Sequence, residues 1–246
     1  MTQQAVWVTR TEPGATRLTA SLHEAGYPVW KAPVLTIEPI PRRAIPQRID
    51  LAIVVSEQAV RHAPERLWSR CERVFAIGPR TAAALALRGV RAFVPKEATS
   101  EGLLRGPLAG GSWQGMRVCL VTGVDGRTLL QEELAAAGAR VTRLECYRRV
   151  PVTDLAELPV NRLTDTQAAE PGKIGAVVCS SGAGLEAVAA LMPAALALPV
   201  LVPSGRVAEQ ASALGFTQVL ECSGAADDAV LETMDEHPQT RRLRQS

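Results

Sequence analysis

Aromatic residues make up only 4% of the 246-residue chain, histidine occurs three times, and charge is nearly balanced, with 27 Lys and Arg against 25 Asp and Glu. Each scarcity removes a class of function. A net charge of +2, with no recurring basic block, lacks the electrostatic footprint of a dedicated nucleic-acid binder. Any anionic partner must be gripped locally. The five cysteines, Cys71, Cys119, Cys146, Cys179 and Cys222, stand singly, with no CxxC and no close histidine, which argues against a disulfide framework or a zinc centre. Most lie in apolar runs such as VCLV and AVVCS, where a small buried hydrophobe is the usual role. A reducing, cytoplasmic setting is expected. The longest apolar tract, Ala187 to Val202, is interrupted by Pro193 and Pro199 and falls short of a membrane span. The opening MTQQAVWVTRTE has no basic stretch followed by an apolar one, so no secretory signal is read. His23, His62 and His237 are dispersed and read as solvated surface, and no spaced carboxylate pair marks a hydrolase or metal centre. Neither GxGxxG after the first strand nor a Walker loop occurs, so the common nucleotide fingerprints are missing.

What remains is a chain that is 47% hydrophobic and can fold around sizeable cores. Short runs rich in Val and Ile alternate with longer Ala, Leu, Arg and Glu segments at helical spacing, the pattern of strands feeding helices around a parallel sheet. Strands are expected at Ala5 to Thr9, Val29 to Ile37, Leu51 to Val55, Val74 to Ile77, Arg91 to Val94, Arg117 to Thr122, Arg140 to Glu145, Ala176 to Cys179, Val200 to Val202 and Gln218 to Glu221. Helices lie between them, the first over Pro13 to Ala25, and Gly26, Gly89, Gly138 and Gly215 suit helix C-termini.

The chain also echoes itself. Ala76 to Leu104 matches Leu201 to Val230, with Thr81 preceding Gly89 by the interval that separates Val207 from Gly215. Val6 to Gly26 matches Val118 to Gly138, and both AIVVSEQAV and AVVCSSGAGLEAV are strands ending in serine. The expected fold is therefore α/β: two similar parallel-sheet domains, one inserted into the other and joined by a two-segment hinge. The outer, discontinuous domain takes residues 1–35 and 151–246, and the inserted one 40–146. The two crossings fall near Leu35 to Ile40 and Glu145 to Pro151, and a hinged cleft is a common place for a ligand.

In such sheets ligands sit beyond the carboxyl ends of the strands. The loops there carry Thr9, Arg10 and Thr11; Ser56; Gly78, Pro79, Arg80 and Thr81; Thr122, Gly123, Asp125, Gly126 and Arg127; Ser180, Ser181 and Gly182; Ser204, Gly205 and Arg206. A hydroxyl or glycine ahead of a helix presents free N–H groups to an anion. Taken singly, such residues are usually helix caps; the functional reading rests on the whole set, which suits a ligand bearing many dispersed carboxylates or phosphates. Tyr147, one of two tyrosines, follows a strand and precedes Arg148 and Arg149. On residues alone it is equally a proton donor beside cations or an amphipathic plug at the crossing.

Together, VTRTE, the serine-ended strand before Val60, IGPRTAAAL, KEATSEGLL, the Gly123 to Arg127 loop and CYRRV resemble the uroporphyrinogen-III synthase family over essentially the whole chain. The resemblance implies a cofactor-free cyclising hydro-lyase of tetrapyrrole biosynthesis. Its substrate would be hydroxymethylbilane, a linear tetrapyrrole with eight carboxylates, closed with inversion of the last ring through an azafulvene and a spiro intermediate. The expected partner is this small molecule, with no nucleic acid and no membrane, and the chain is expected to be a cytoplasmic monomer. Tyr147 matches the family tyrosine thought to assist hydroxyl departure. Arg10, Ser56, Gly78, Thr81, Thr122, Gly123, Arg127, Ser180, Ser181, Ser204 and Gly205 are the expected substrate-binding residues, and no metal site is expected. The chain departs from the family pattern at Val54-Val55-Ser56 and Val178-Cys179-Ser180, where F-T-S is expected, at Pro203-Ser204-Gly205 for I-G-P, and at Val207, which lacks the hydroxyl of Thr81. A non-catalytic binding protein for a tetrapyrrole or other polyanion is the alternative, and a nucleotide-dependent enzyme without its fingerprint a third.

Overall fold

A computed structural model of the chain describes residues 4–41, 44–124, 126–158 and 173–244. The elements are β1 (Ala5–Val8), α1 (Gly14–Glu24), β2 (Val29–Lys31), β3 (Leu35–Pro39), β4 (Ile49–Val54), α2 (Glu57–His62), β5 (Cys71–Ala76), α3 (Pro79–Ala86), α4 (Ser100–Arg105), β6 (Arg117–Gly123), α5 (Leu129–Ala136) and β7 (Arg140–Pro151). There follow β8 (Ile174–Val178), α6 (Gly182–Leu191), β9 (Pro199–Val202), α7 (Gly205–Ala213), β10 (Gln218–Glu221), α8 (Asp227–Glu236) and α9 (Pro238–Arg241). The chain divides into two compact units, residues 1–36 with 150–246 and residues 37–149.

The first unit holds a five-stranded sheet in the order β10-β9-β8-β1-β2, with all its recorded pairings parallel. Because its inner strands are covered on both faces, they read as continuous apolar runs. Side chains alternate across β1: Trp7 enters the core on one face with Val177, Leu185 and Val200, and Val6 and Val8 enter the other with Leu18, Leu22 and Met234. Helix α1 buries Ala15, Leu18 and Leu22, three and four residues apart, against that second face. A fully buried Leu of this kind contributes about 1.5–3 kcal/mol. Trp7 also donates its indole N–H to the Ala32 carbonyl at 2.8 Å.

The second unit repeats the plan in the order β3-β7-β6-β4-β5. Leu51 and Ile53 of β4 point to one face with Leu120 and Leu134, and Ala52 and Val54 to the other with Ala59, Leu85 and Tyr147. The internal echo is thus an echo of topology: β9-β8-β1-β2 corresponds to β5-β4-β6-β7. Gly89, Gly138 and Gly215 end their helices with φ of 72°, 94° and 94°, left-handed values that glycine adopts without steric cost.

Two strand expectations need correction. Val29 to Ile37 is not one strand but two in different sheets: β2 pairs with β1 as far as Lys31, and after Ala32-Pro33 the chain re-pairs as β3 beside β7. The bonds from Ile40 N–H to Cys146 O and from Val152 N–H to Val34 O give β3 and β7 opposite directions. Arg91 to Val94 supplies a single parallel bridge, Phe93 to Phe75, at the edge of the second sheet. Its alternation is too short to carry a ladder. The unit boundaries lie inside β3 and β7. Among the described residues, no helix is long and apolar enough to cross a membrane.

Candidate functional site

In the second unit the carboxyl ends of β4, β6 and β7 bring Ser56, Gly123 and Tyr147 together. Thr122 faces Glu145 in the ladder, but Gly123 faces Tyr147, so β7 carries one extra residue here. Such a bulge re-aims the side chain that follows it. The Tyr147 ring, only 2% exposed, lies over Gly123 so closely that a Cβ there would sit 2.8 Å from the ring Cζ. Its hydroxyl is 3.1 Å from Ser56 Oγ and accepts a bond from Arg149 Nη2 at 3.3 Å. The Arg149 guanidinium lies 5.5 Å from the ring centre. Ser56 is also the N-cap of α2, its oxygen accepting the Ala59 N–H at 3.0 Å.

His62, at the end of α2, corrects its reading as solvated surface: it is half-buried, with its ring 6.1 Å from that of Tyr147. Burial, with Arg61 and Arg88 nearby, holds its pKa below the ordinary histidine value. The adjoining loop is braced by Arg143, which donates to the carbonyls of Val124, Gly126 and Arg127 at 3.2–3.5 Å. Thr122 is buried and donates to Gly123 O. Asp125 lies outside the described residues.

Helix α3 begins at Gly78, an extended residue without a side-chain cap, followed by Pro79. Thr81 is buried in its first turn. Helix α7 repeats this: Ser204 is extended and leaves the cap unmade, Gly205 begins the helix, and Val207 is buried where Thr81 stands in α3. The first-turn amides of both helices therefore have no capping side chain. Glu221 places its carboxylate about 3.5 Å from where a Cβ on Gly205 would be.

Elsewhere in the first unit, Ser181 caps α6 by accepting the Gly184 N–H, which makes Ser181 the counterpart of Ser56 in capping, and Ser180 stays exposed. Ser180 and Arg10 line one recess with Cys179, Pro203, Gly224 and Ala225. Arg10 is already engaged: it pairs with Asp227 at 3.0 Å and donates to Ala225 O. Arg127 is held in the same manner by Glu101 at 2.6 Å. Glu101 and Asp227 are separated by the interval of Gly89 and Gly215, so in each unit an arginine from the loop after β6 or β1 meets an acid in the first turn of the corresponding helix, α4 or α8. Sequence reasoning found the arginines and missed the acids, although the repeat aligned them. It also missed Arg143, whose role depends on the loop's shape.

The five cysteines are free, four of them buried. Burial pushes the thiols of Cys119 and Cys146 up to about 12 and those of Cys71 and Cys179 up to about 11, so none is an activated nucleophile. Among the described residues, no cluster of three or more His, Cys, Asp or Glu could hold a metal ion.

The chain has relatives among known proteins. Residues 16–232 match the family model described as Uroporphyrinogen-III synthase HemD. The chain is 30% identical to the uroporphyrinogen-III synthase of Escherichia coli over 94% of its length and 99% of that protein. It is also 30% identical to that of Salmonella typhimurium over 94% of its length and 99% of that protein. Two solved structures share the fold. One is a mutant uroporphyrinogen III synthase from Thermus thermophilus, with TM-score 0.57, 18% identity and coverage of 95% of this chain and 100% of that one. The other is the uroporphyrinogen-III synthetase from Helicobacter pylori, with TM-score 0.58, 13% identity and coverage of 93% and 97%. A family match over most of its length and relatives at this identity place the chain in the uroporphyrinogen-III synthase family, hydro-lyases of tetrapyrrole biosynthesis.

Proposed function

We propose that the chain cyclises hydroxymethylbilane to uroporphyrinogen III and water, with Tyr147 as the proton donor and the strand-end loops as carboxylate binders. The observation that carries this reading is the Tyr147 phenol, held beside Ser56 and Arg149 at the carboxyl ends of the sheet. Departure of the substrate hydroxyl from an electron-rich pyrrole carbon needs modest protonation, which a positioned phenol supplies. The cation left behind is attacked by the terminal pyrrole, and positioned dipoles meet its charge.

Carboxylate binding is assigned to the uncapped first turns of α3 and α7, where Gly78, Thr81, Ser204 and Gly205 stand, and to Arg10, Thr122, Gly123, Arg127, Ser180 and Ser181 on neighbouring loops. An anion at a helix N-terminus meets free N–H groups and a favourable dipole. Val207 offers no hydroxyl, so in α7 the contact falls to Ser204 or the Gly205 amide. Holding a flexible linear substrate curled supplies most of the rate by proximity, and proton donation supplies less. We also propose that the enzyme works as a monomer in the cytoplasm, in line with its five unpaired cysteines.

The test is turnover of freshly generated hydroxymethylbilane by the wild-type chain and by Tyr147→Phe. The expected result is a kcat lower by about tenfold to a hundredfold in the variant, with KM changed less than threefold. Unchanged kcat would remove Tyr147 from the mechanism.

A further inference from the structure

Among the described residues, the Tyr147 oxygen has two hydrogen-bonding neighbours of different capability. Arg149 is a donor only, so at 3.3 Å the phenol oxygen accepts. Ser56 Oγ, at 3.1 Å, can act either way, but the Ala59 N–H already occupies one of its lone pairs. That cap bond fixes the serine oxygen against the start of α2 and leaves its own hydrogen free to turn toward the phenol. The whole arrangement lies within one unit: Tyr147 is buried, its ring wedged over Gly123, and Ser56 and Arg149 are half-buried beside it.

We propose that Ser56 and Arg149 are positioning residues that both donate to the Tyr147 oxygen, so that the phenol's own proton is left for the departing group and the phenolate that follows is held by two donors. This replaces the carboxylate-binding role expected for Ser56, and it rests on the reading of Tyr147 as proton donor. In the step itself the Tyr147 O–H bond breaks and its proton joins the substrate hydroxyl. The C–O bond breaks with its electron pair on oxygen, so water leaves and a carbocation remains on the substrate. Ring closure expels one proton from the attacking pyrrole, which returns to the phenolate. Atoms and charge balance without a co-reactant.

His62 on α2 lies beside the Tyr147 ring, and burial lowers its pKa from the ordinary histidine value, so it does not titrate in the alkaline range. Tyr27, the one other tyrosine, is buried and donates to Asp235; burial first and that carboxylate second push its titration far above the usual phenol range. Subtracting the Tyr147→Phe titration therefore isolates Tyr147 in an alkaline ultraviolet titration of the intact protein.

Arg149→Met and Ser56→Ala are each expected to move the Tyr147 titration to higher pH, and Ser56→Thr, which keeps both hydroxyl and cap, to restore it. In turnover, Ser56→Ala should lower kcat about tenfold at unchanged KM, yet less than about twofold in the Tyr147→Phe background, because the two act as one unit. A merely structural cap would cost the same in both backgrounds and leave the phenol where it was; either result overturns the proposal. The titration needs no substrate. A wild-type chain that makes no uroporphyrinogen III would sink the functional reading, whereas an unmoved titration would sink the positioning alone.

Discussion

The Tyr147 ring rests on the Cα of Gly123, its partner across the β6–β7 ladder, at a distance that leaves no room for a side chain. Gly123 is therefore required by the tyrosine rather than by its own backbone angles. Gly123→Ala should push the ring off Ser56 and lower kcat by at least about tenfold while the far-ultraviolet circular dichroism stays native. Normal turnover in this variant would show that the ring's place does not matter.

Thr81 and Val207 occupy the same buried position in α3 and α7. Since valine is accommodated in one, Thr81→Val should change unfolding stability by no more than about 1.5 kcal/mol, the net worth of one hydrogen bond. If the threonine hydroxyl meets a substrate carboxylate, KM rises several-fold at unchanged kcat. Denaturant unfolding and steady-state kinetics on one preparation separate the two effects.

The two arginine–acid pairs differ in exposure. Arg127–Glu101 has side chains 58% and 38% exposed, and Arg10–Asp227 13% and 12%. Glu101→Gln should cost under about 0.5 kcal/mol, as solvent-screened pairs do. Asp227→Asn should cost about 2 kcal/mol, because it leaves Arg10 with a weaker acceptor in a largely dry setting. Equal losses in chemical denaturation would contradict this ranking.

Asp50 accepts from the Arg117 backbone and guanidinium, both at 2.7 Å, and those bonds hold its carboxyl down to about 2. A carboxylate depressed in the folded state contributes stability that is complete above its unfolded value, near 4, and lost as pH falls through about 2. Arg117 is 42% exposed, so solvent screening keeps the contribution small. Acid unfolding of Asp50→Asn against wild type should show the difference at pH 6 and lose it by about pH 2; a difference that persists there would exclude the pair as its source.

The sheets were readable because inner parallel strands are unbroken apolar runs: AIVV, VCLV and AVVC each became a central strand. The same signal misled at Val29 to Ile37, since an apolar run does not say which sheet it joins. Gly78, Thr81, Ser204 and Gly205 were legible because strand, turn and helix start are contiguous in sequence. What surrounds them was not. Asp227 reaches Arg10 across 217 residues, and Ser56 meets Tyr147 across 91; such partners are chosen by the fold, and only the internal repeat carried any trace of them. His62 read as surface because one helical turn of context does not reveal a ring packed behind it.

The isomer ratio of the product tests the central claim most directly. Hydroxymethylbilane closes unaided to the uninverted type I isomer, so the wild-type chain should shift the product to uroporphyrinogen III, increasingly as enzyme concentration rises. Saturable binding of the substrate with the mixture still at type I would contradict the account and make the chain a binding protein.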